Sequence, residues 1–178
     1  MPDGHSVPTI VPSVTGGFAV DALKLLEQDH RLVEKLLEEG EKTTERGEKT
    51  RSELFARLKK ELTIHESMEE QVLYPRLREV AKARELALEA YEEHHVVDEI
   101  LGELEQTPPS DETWGAKFTV AKENLEHHIQ EEESEMWKLA RQEFSDDELE
   151  QMGARMMEIK QAGQEILPGA EQVTSRPR

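Results

Sequence analysis

The 178-residue sequence contains no cysteine, only 4% aromatic residues, and no apolar run near the roughly 20 residues that a membrane span requires. The lack of cysteine excludes disulfides, thiolate zinc sites, iron–sulfur ligation and cysteine nucleophiles within this chain. Basic residues are also few: 22 Lys and Arg stand against 40 Asp and Glu, a formal net charge of −18. Because nucleic acids and anionic membranes attract clustered basic residues, we expect neither as a partner. The N-terminus lacks the basic region of a signal peptide, and a cytoplasmic location is expected.

Apolar residues recur at intervals of three and four along most of the chain, which predicts amphipathic helices, and no segment has the period of a strand. Residues 1–17 are rich in Pro and Gly and are predicted to form a flexible arm. Residues 18–142 are predicted to form four helices, and residues 143–167 an accessory helix that opens with the capping box of Ser145. Residues 168–178 are predicted to be a disordered tail. The expected fold is all-α, an up-down-up-down four-helix bundle with an additional C-terminal helix.

Polar or proline-containing breaks separate the predicted helices. The first helix is expected to run from about Phe18 to Glu39, and Pro75 should end or kink the second. The segment before the fourth helix contains two prolines and offers either Ser110 or Asp111 as the N-cap.

The sequence His-x-x-x-Glu-Glu occurs twice, beginning at His65 and at His128. A lone histidine precedes each copy at nearly the same distance: His30 lies 35 residues before the first, and His94 lies 34 residues before the second. The chain therefore reads as a helical hairpin used twice, with two His and one Glu in each copy. Six such groups directed at one place would form a site for two metal ions.

An aromatic residue follows each motif histidine by nine positions, Tyr74 in the first copy and Trp137 in the second.

Two His-His pairs require a choice of which histidine points inward. Steps of three and four from His128 meet apolar residues, whereas the same steps from His127 meet mostly polar ones. The same test selects His94 over His95 by a smaller margin, so His95 and His127 are expected at the surface or behind the ligands. The predicted inward set is His30, His65, Glu69, His94, His128 and Glu132.

Buried carboxylates beside four imidazoles would be destabilising, and bound metal would remove that cost. His and Glu at positions i and i+4 share one helix face, about 5–6 Å apart, so both can reach one ion or adjacent ions. Imidazole and carboxylate without thiolate suit iron, manganese or zinc. Ferritin-like bundles use Glu-x-x-His instead. Glu27 and His30 fit that pattern, but the repeated element here is His-x-x-x-Glu.

With these motifs the chain resembles the hemerythrin-like (HHE cation-binding) family over about residues 20–142. The resemblance rests on Asp29-His30, His65-x-x-x-Glu69 with Val72-Leu73-Tyr74-Pro75, Glu93-His94, and His128-x-x-x-Glu132. It implies two iron ions in an oxo- or hydroxo-bridged di-iron centre inside the bundle. It also implies that the terminal ligands are His30, His65, His94 and His128. The bridging ligands would be Glu69 and Glu132.

One position departs from the oxygen-carrying hemerythrins, which have a second histidine one turn after the histidine of the third helix. Here that residue is Asp98, either a further ligand or a solvated side chain. Tyr91, one turn before His94, could be a pocket wall, a proton donor or a ligand. The missing imidazole favours redox chemistry with H₂O₂, O₂ or NO over simple O₂ carriage.

The expected function is that of a non-haem di-iron protein that binds O₂ or reacts with H₂O₂ in the response to oxidative stress. Catalase-like or peroxidase-like turnover is an open question. The alternatives are an O₂ or NO binding or sensing module, whose fifth helix could report to an unknown protein partner, and a protein of iron–sulfur cluster repair or iron handling. Leu62, Leu125, Met68 and Met136 are expected to keep the pocket dry.

Overall fold

The computed structural model describes residues 20–167, and this part of the chain contains five long helices joined by short connections, the first of which includes the 3₁₀ helix Glu45–Gly47. The predicted arm (1–17) and tail (168–178) lie outside the described residues. Helix α1 is Ala22–Glu41, α3 is Arg84–Gln106 and α5 is Asp146–Ile166. Helices α2 and α4 each consist of three consecutive segments: Glu48–Met68, Glu69–Leu73 and Tyr74–Leu77 in α2, and Glu112–Glu131, Glu132–Met136 and Trp137–Glu143 in α4. The predicted all-α bundle with an additional helix is confirmed.

Side-chain caps fix where three of the helices begin. Asp21 accepts a hydrogen bond from the Lys24 amide at 3.1 Å, so α1 begins at Ala22 and not near Phe18. Asp111, the second of the two predicted N-caps, accepts from the amide of Thr113 at 2.8 Å. The capping box predicted at Ser145 is confirmed, with both of its reciprocal bonds to Glu148 present.

The middle segments of α2 and α4, Glu69–Leu73 and Glu132–Met136, are π-helical. In each, the amide after the segment donates to the carbonyl of its first residue, five positions earlier, at Glu69 or Glu132. The first of these π-turns stands directly before Pro75, and α2 continues past the proline to Leu77. Each π-turn thus begins at the first glutamate of a His-x-x-x-Glu-Glu motif, a placement common at functional sites.

The core has two apolar halves separated by a polar layer. One half contains the beginning of α1 and the end of α2, including Leu26 and Met68, and the other contains residues such as Val33 and Leu62. Each of α1 to α4 passes from one half to the other at a histidine. These histidines and two glutamates form the buried polar layer: His30, His65, Glu69, His94, His128 and Glu132.

Helix α5 packs on the outside of the bundle against α1 and α2. Two glycines allow the close approach. A Cβ at Gly153 would lie 1.7 Å from the carbonyl oxygen of Val20, and one at Gly163 would lie 2.7 Å from Cγ1 of Ile64. None of the helices within residues 20–167 combines the length and the apolar character needed to cross a bilayer.

Candidate metal centre

The six predicted inward residues meet in the polar layer, and each is at most 3% exposed. Their donor atoms form two overlapping groups, within each of which every atom lies within 4.8 Å of the others. Glu69 belongs to both groups, which are His30, His65, Glu69 and Glu132, and Glu69, His94 and His128. The arrangement brings four helices to one point.

The four histidines direct their Nε2 atoms toward the centre of this layer. The Nε2 atoms of His30 and His65 are 3.1 Å apart, and those of His94 and His128 are also 3.1 Å apart. Oε1 and Oε2 of Glu69 lie 3.2 Å from His65 Nε2 and 3.4 Å from His94 Nε2, so one carboxylate touches both pairs. Glu132 lies between the pairs in the same way: its Oε2 is 3.2 Å from Nε2 of His30 and 3.6 Å from Nε2 of His128.

The outer ring nitrogens, Nδ1, face a second set of carboxylates. Nδ1 of His30 contacts Glu133 at 2.9 Å, that of His94 contacts Glu70 at 3.0 Å, and that of His128 contacts Glu93 at 2.7 Å. The fourth, on His65, lies 3.9 Å from Asp29. Carboxylates in this position keep the proton on Nδ1 and leave Nε2 free to bind metal. Sequence reasoning did not assign these roles, although both motifs carry the signal as a doubled glutamate and as an acidic residue before the lone histidine.

These outer contacts follow the repeat. The acidic residue before each lone histidine, Asp29 or Glu93, faces the motif histidine of its own copy. The second glutamate of each motif faces the lone histidine of the other copy, Glu70 with His94 and Glu133 with His30. The two copies therefore hold each other's histidines, and the centre is complete only when both hairpins are packed together.

The donor set fits a pair of metal cations. With their protons on Nδ1, His94 and His128 would direct two lone pairs at each other across 3.1 Å, an arrangement that is repulsive unless a proton or a metal cation lies between them. Bonds of about 2.1 Å at right angles place neighbouring donors about 3 Å apart, close to the observed separations. Inner oxygens of both central carboxylates, Glu69 Oε1 and Glu132 Oε2, are buried without a hydrogen-bond partner. Bound metal would satisfy these atoms.

The pKa values of the central residues also indicate that this site favours positive charge. Burial disfavours imidazolium, yet the charge of Glu69 and the neighbouring Asp29 raise the pKa of His65 well above its ordinary value. Burial is likewise outweighed at His94, where the hydrogen bond and charge of Glu69 raise the pKa to about 9. The pKa of Glu69 lies well below its usual range because the two histidines outweigh its burial. Metal ions would supply the charge that protons supply in their absence.

Tyr74 is a member of the centre that the sequence did not identify as one. It is fully buried, its hydroxyl donates to Glu132 at 2.8 Å, and it lies 3.4 Å from Glu69 and 3.2 Å from Nε2 of His94. The available signal was the aromatic residue nine positions after each motif histidine. Trp137, its counterpart in the second copy, instead stacks on His30 with ring centroids 5.1 Å apart.

Other candidate residues lie outside the two groups. Asp98 is exposed. Tyr91 is half-buried, packs edge-on against Tyr74, and donates its hydroxyl to the carbonyl of Glu70 at 3.1 Å. His95 and His127 lie at the surface, where they are 68% and 63% exposed.

A cavity of about 10 Å³, roughly the room that one water molecule needs, adjoins the histidines. All four central histidines line it, and the rest of the lining is apolar except for Glu66: Val33, Leu62, Leu125 and Ile129. Leu62 and Leu125 thus line the pocket as expected, whereas Met68 and Met136 belong to the other half of the core.

Glu66 is the residue of this cavity that sequence reasoning missed. It is 8% exposed, and its Oε1 is buried without a hydrogen-bond partner. Burial raises the pKa of Glu66 to about 7. The charge of His94 opposes this increase in pKa, and the charge of Asp98 adds to it. A signal was available, since Leu62 and Glu69 lie four residues before and three after it, on the same helix face.

The fold and the donor set define a helical-bundle protein with a buried site for metal cations. The model of the hemerythrin HHE cation binding domain matches residues 21–140, and the chain belongs to that family. A crystal structure of a hemerythrin HHE cation binding domain-containing protein from Mycobacterium kansasii is 28% identical, with a TM-score of 0.73 over 89% of this chain and 95% of that one. A DNA nickase from Nostoc sp. (strain PCC 7120) is 27% identical over 117 residues, 66% of this chain. The matched region is 33% of that relative's length.

Proposed function

We propose that this protein holds two iron ions and binds O₂ or reacts with H₂O₂ at them. The observation that carries the proposal is the convergence of four Nε2 atoms and two shared carboxylates beside a cavity for one small molecule. Iron in such a site would supply redox chemistry and Lewis acidity. His30, His65, His94 and His128 would be the terminal ligands, and Glu69 and Glu132 would lie between the ions.

The protein's own groups would determine what reaches the ions. The cavity has room for about one water molecule, so O₂ or H₂O₂ would need a small movement of its mostly apolar lining to enter. Tyr74 lies in the half of the core opposite the cavity, and its hydroxyl donates a hydrogen bond to Glu132. This hydroxyl would be a proton donor within the centre. The outer carboxylates hold the imidazole rings in the orientation that metal binding needs.

The test is the metal content of protein purified aerobically, followed by addition of H₂O₂ with detection of O₂ at an electrode. About two irons per chain with sustained O₂ evolution would support peroxide handling. Two irons without turnover would favour O₂ or NO binding. Zinc alone, or no metal, would exclude the redox proposal.

A sensing role is the second candidate, because α5 contacts the centre indirectly. Lys160 of α5 forms an ion pair with Asp29, and Asp29 faces the outer nitrogen of His65. A change at the ions could alter this contact and be reported to a partner through α5. Iron handling for cluster repair remains a third proposal, tested by transfer of iron to an apo iron–sulfur protein.

DNA nicking, the activity in the name of the Nostoc relative, is the least favoured proposal for this chain. A formal net charge of −18 opposes binding to DNA phosphates. Supercoiled plasmid incubated with the iron-loaded protein is expected to remain supercoiled.

A further inference from the structure

The two groups of donors in the centre are unequal. The first has four members, two histidines and two glutamates, whereas the second has three: Glu69, His94 and His128. The sequence offers Asp98 as the missing donor, one turn after His94, but that side chain is exposed. Glu132 also reaches toward the second group, but its Oε2 lies 3.6 Å from Nε2 of His128 and only 3.2 Å from Nε2 of His30. The side of the centre that holds His94 and His128 is therefore the less fully supplied with protein donors.

Glu66 is the buried acidic side chain nearest to supplying that donor. It projects from α2 into the cavity that all four central histidines line. Within residues 20–167 its buried Oε1 has no hydrogen-bond partner, an arrangement that is destabilising unless some ligand satisfies it. His94 of α3 and His128 of α4, the two histidines of the second group, line the same cavity as Glu66.

The location within the core also separates Glu66 from Tyr74. The cavity's apolar walls belong to the half of the core that contains Leu62 and Leu125, whereas Tyr74 belongs to the opposite half. The two side chains therefore approach the polar layer from opposite sides. Tyr74 already donates its hydroxyl to Glu132, but Glu66 Oε1 is buried and has no hydrogen-bond partner among the described residues.

We propose that Glu66 is a third carboxylate ligand of the metal centre, completing the donor set of the ion held by His94 and His128. This assignment rests on the proposed metal binding and extends it to a residue outside the repeated motif. A third carboxylate makes the site more negative and favours a hard, oxygen-preferring cation. It also places an anionic oxygen in the cavity, in the path of an incoming small molecule.

The test compares Glu66→Gln, which keeps the shape and removes the charge, with two other variants. Asp98→Asn tests the rival donor, and Glu92→Gln is a matched control on an exposed face of α3. Each protein, first stripped of metal, is titrated anaerobically with Fe²⁺ by calorimetry and with Co²⁺ by visible absorption. The wild type, Asp98→Asn and Glu92→Gln should bind two ions with matching cobalt spectra.

Glu66→Gln should bind the first ion normally and the second at least 10–100-fold more weakly, a loss typical even of residues behind the ligands. Its cobalt spectrum should differ from that of the wild type. The metal-free variant should also melt at a higher temperature than the wild type, because a buried carboxylate without a partner has been removed. Glu66→Leu, whose side chain matches the apolar lining, should behave in the same way. It controls for a folding defect caused by the buried amide of the glutamine variant.

Two results would overturn the assignment while leaving the proposed function intact. One is unchanged binding of both ions by Glu66→Gln and Glu66→Leu with an unchanged cobalt spectrum. The other is loss of the second ion in Asp98→Asn. A wild-type protein that binds neither Fe²⁺ nor Co²⁺ would instead contradict the proposed function, and the assignment with it.

Discussion

Lys160 of α5 forms an ion pair with Asp29 of α1, whose second oxygen lies 3.9 Å from Nδ1 of His65. The other three central histidines have a carboxylate at 2.7–3.0 Å from Nδ1. The longer distance at His65 coincides with the one outer carboxylate that is shared with a lysine. The buried carboxylate of Asp29 thus links the charge of Lys160 in the accessory helix to a histidine of the centre.

Replacing Lys160 with Met should lower the free energy of unfolding by about 1–3 kcal/mol, because a mostly buried Asp29 loses its partner. It should also make the reduction potential of the iron-loaded protein more negative, since a positive charge near the centre is removed. Arg155→Met is the matched control: Arg155 pairs with Glu158 on the surface of the same helix, and exposed pairs contribute little. Chemical denaturation and redox titration measure the two effects, and Lys160→Arg should restore both. Identical potentials in the Lys160 and Arg155 variants would argue against the coupling.

The choice between neighbouring residues in the second motif can be tested by paired substitutions. His128→Ala and Glu132→Ala should lose bound metal, because both side chains lie in the polar layer. His127→Ala and Glu131→Ala should keep nearly two ions per chain, because these residues contact each other at the surface. Metal analysis of the four purified variants decides the matter. The opposite pattern would mean that the metal lies on the outer face of α4.

Tyr74→Phe removes the one hydroxyl within the centre. We expect the metal-free variant to lose about 1 kcal/mol of stability, the usual contribution of one hydrogen bond, and the iron-loaded variant to keep its metal. If the hydroxyl donates protons during peroxide turnover, O₂ evolution should fall by about 10²-fold or more. Tyr91→Phe is the control, since that hydroxyl donates to the backbone carbonyl of Glu70 and belongs to neither donor group. Equal rates in the two variants would exclude a proton-donor role for Tyr74.

Acid stability should depend on Asp21, which caps α1 and pairs with Arg141 of α4. Burial opposes ionisation, but the hydrogen bonds from Arg141 and Lys24 outweigh it and hold the pKa below 3.8. A lowered pKa in the folded state means that the stabilisation is complete above pH 3.8 and is lost as the pH falls through the folded-state value. Urea denaturation of metal-free protein between pH 5 and about 3 should therefore show a shallower decline for Asp21→Asn than for the wild type. Parallel declines would contradict this.

Much of the fold can be predicted from local patterns in the sequence. Spacings of three and four predict the helices, and caps such as Asp111 and Ser145 mark where they begin. The six central residues could also be selected from sequence, because each lies on an apolar stripe where an uncompensated charge would be destabilising. The roles of these six as metal ligands remain a proposal.

The remaining features depend on how the two hairpins meet, which no local rule supplies. Glu70 and Glu133 look like ordinary surface glutamates until each is seen beside a histidine of the other copy. Glu66 follows a central histidine directly and would be expected to point elsewhere. It nevertheless lines the cavity beside all four central histidines.

The π-turns were also not predicted, and they make the length of two short segments matter more than their composition. Each contains one residue more than an α-helix would use over the same rise, and an α-helix turns by about 100° per residue. Loss of a single exposed residue, such as Gln71 or Ser134, would rewind everything beyond it by that angle and carry Tyr74 or Trp137 away from its histidine. Exchanging the same residue for another would leave the phase of the helix unchanged. At these two places the protein should tolerate a substitution far better than a deletion.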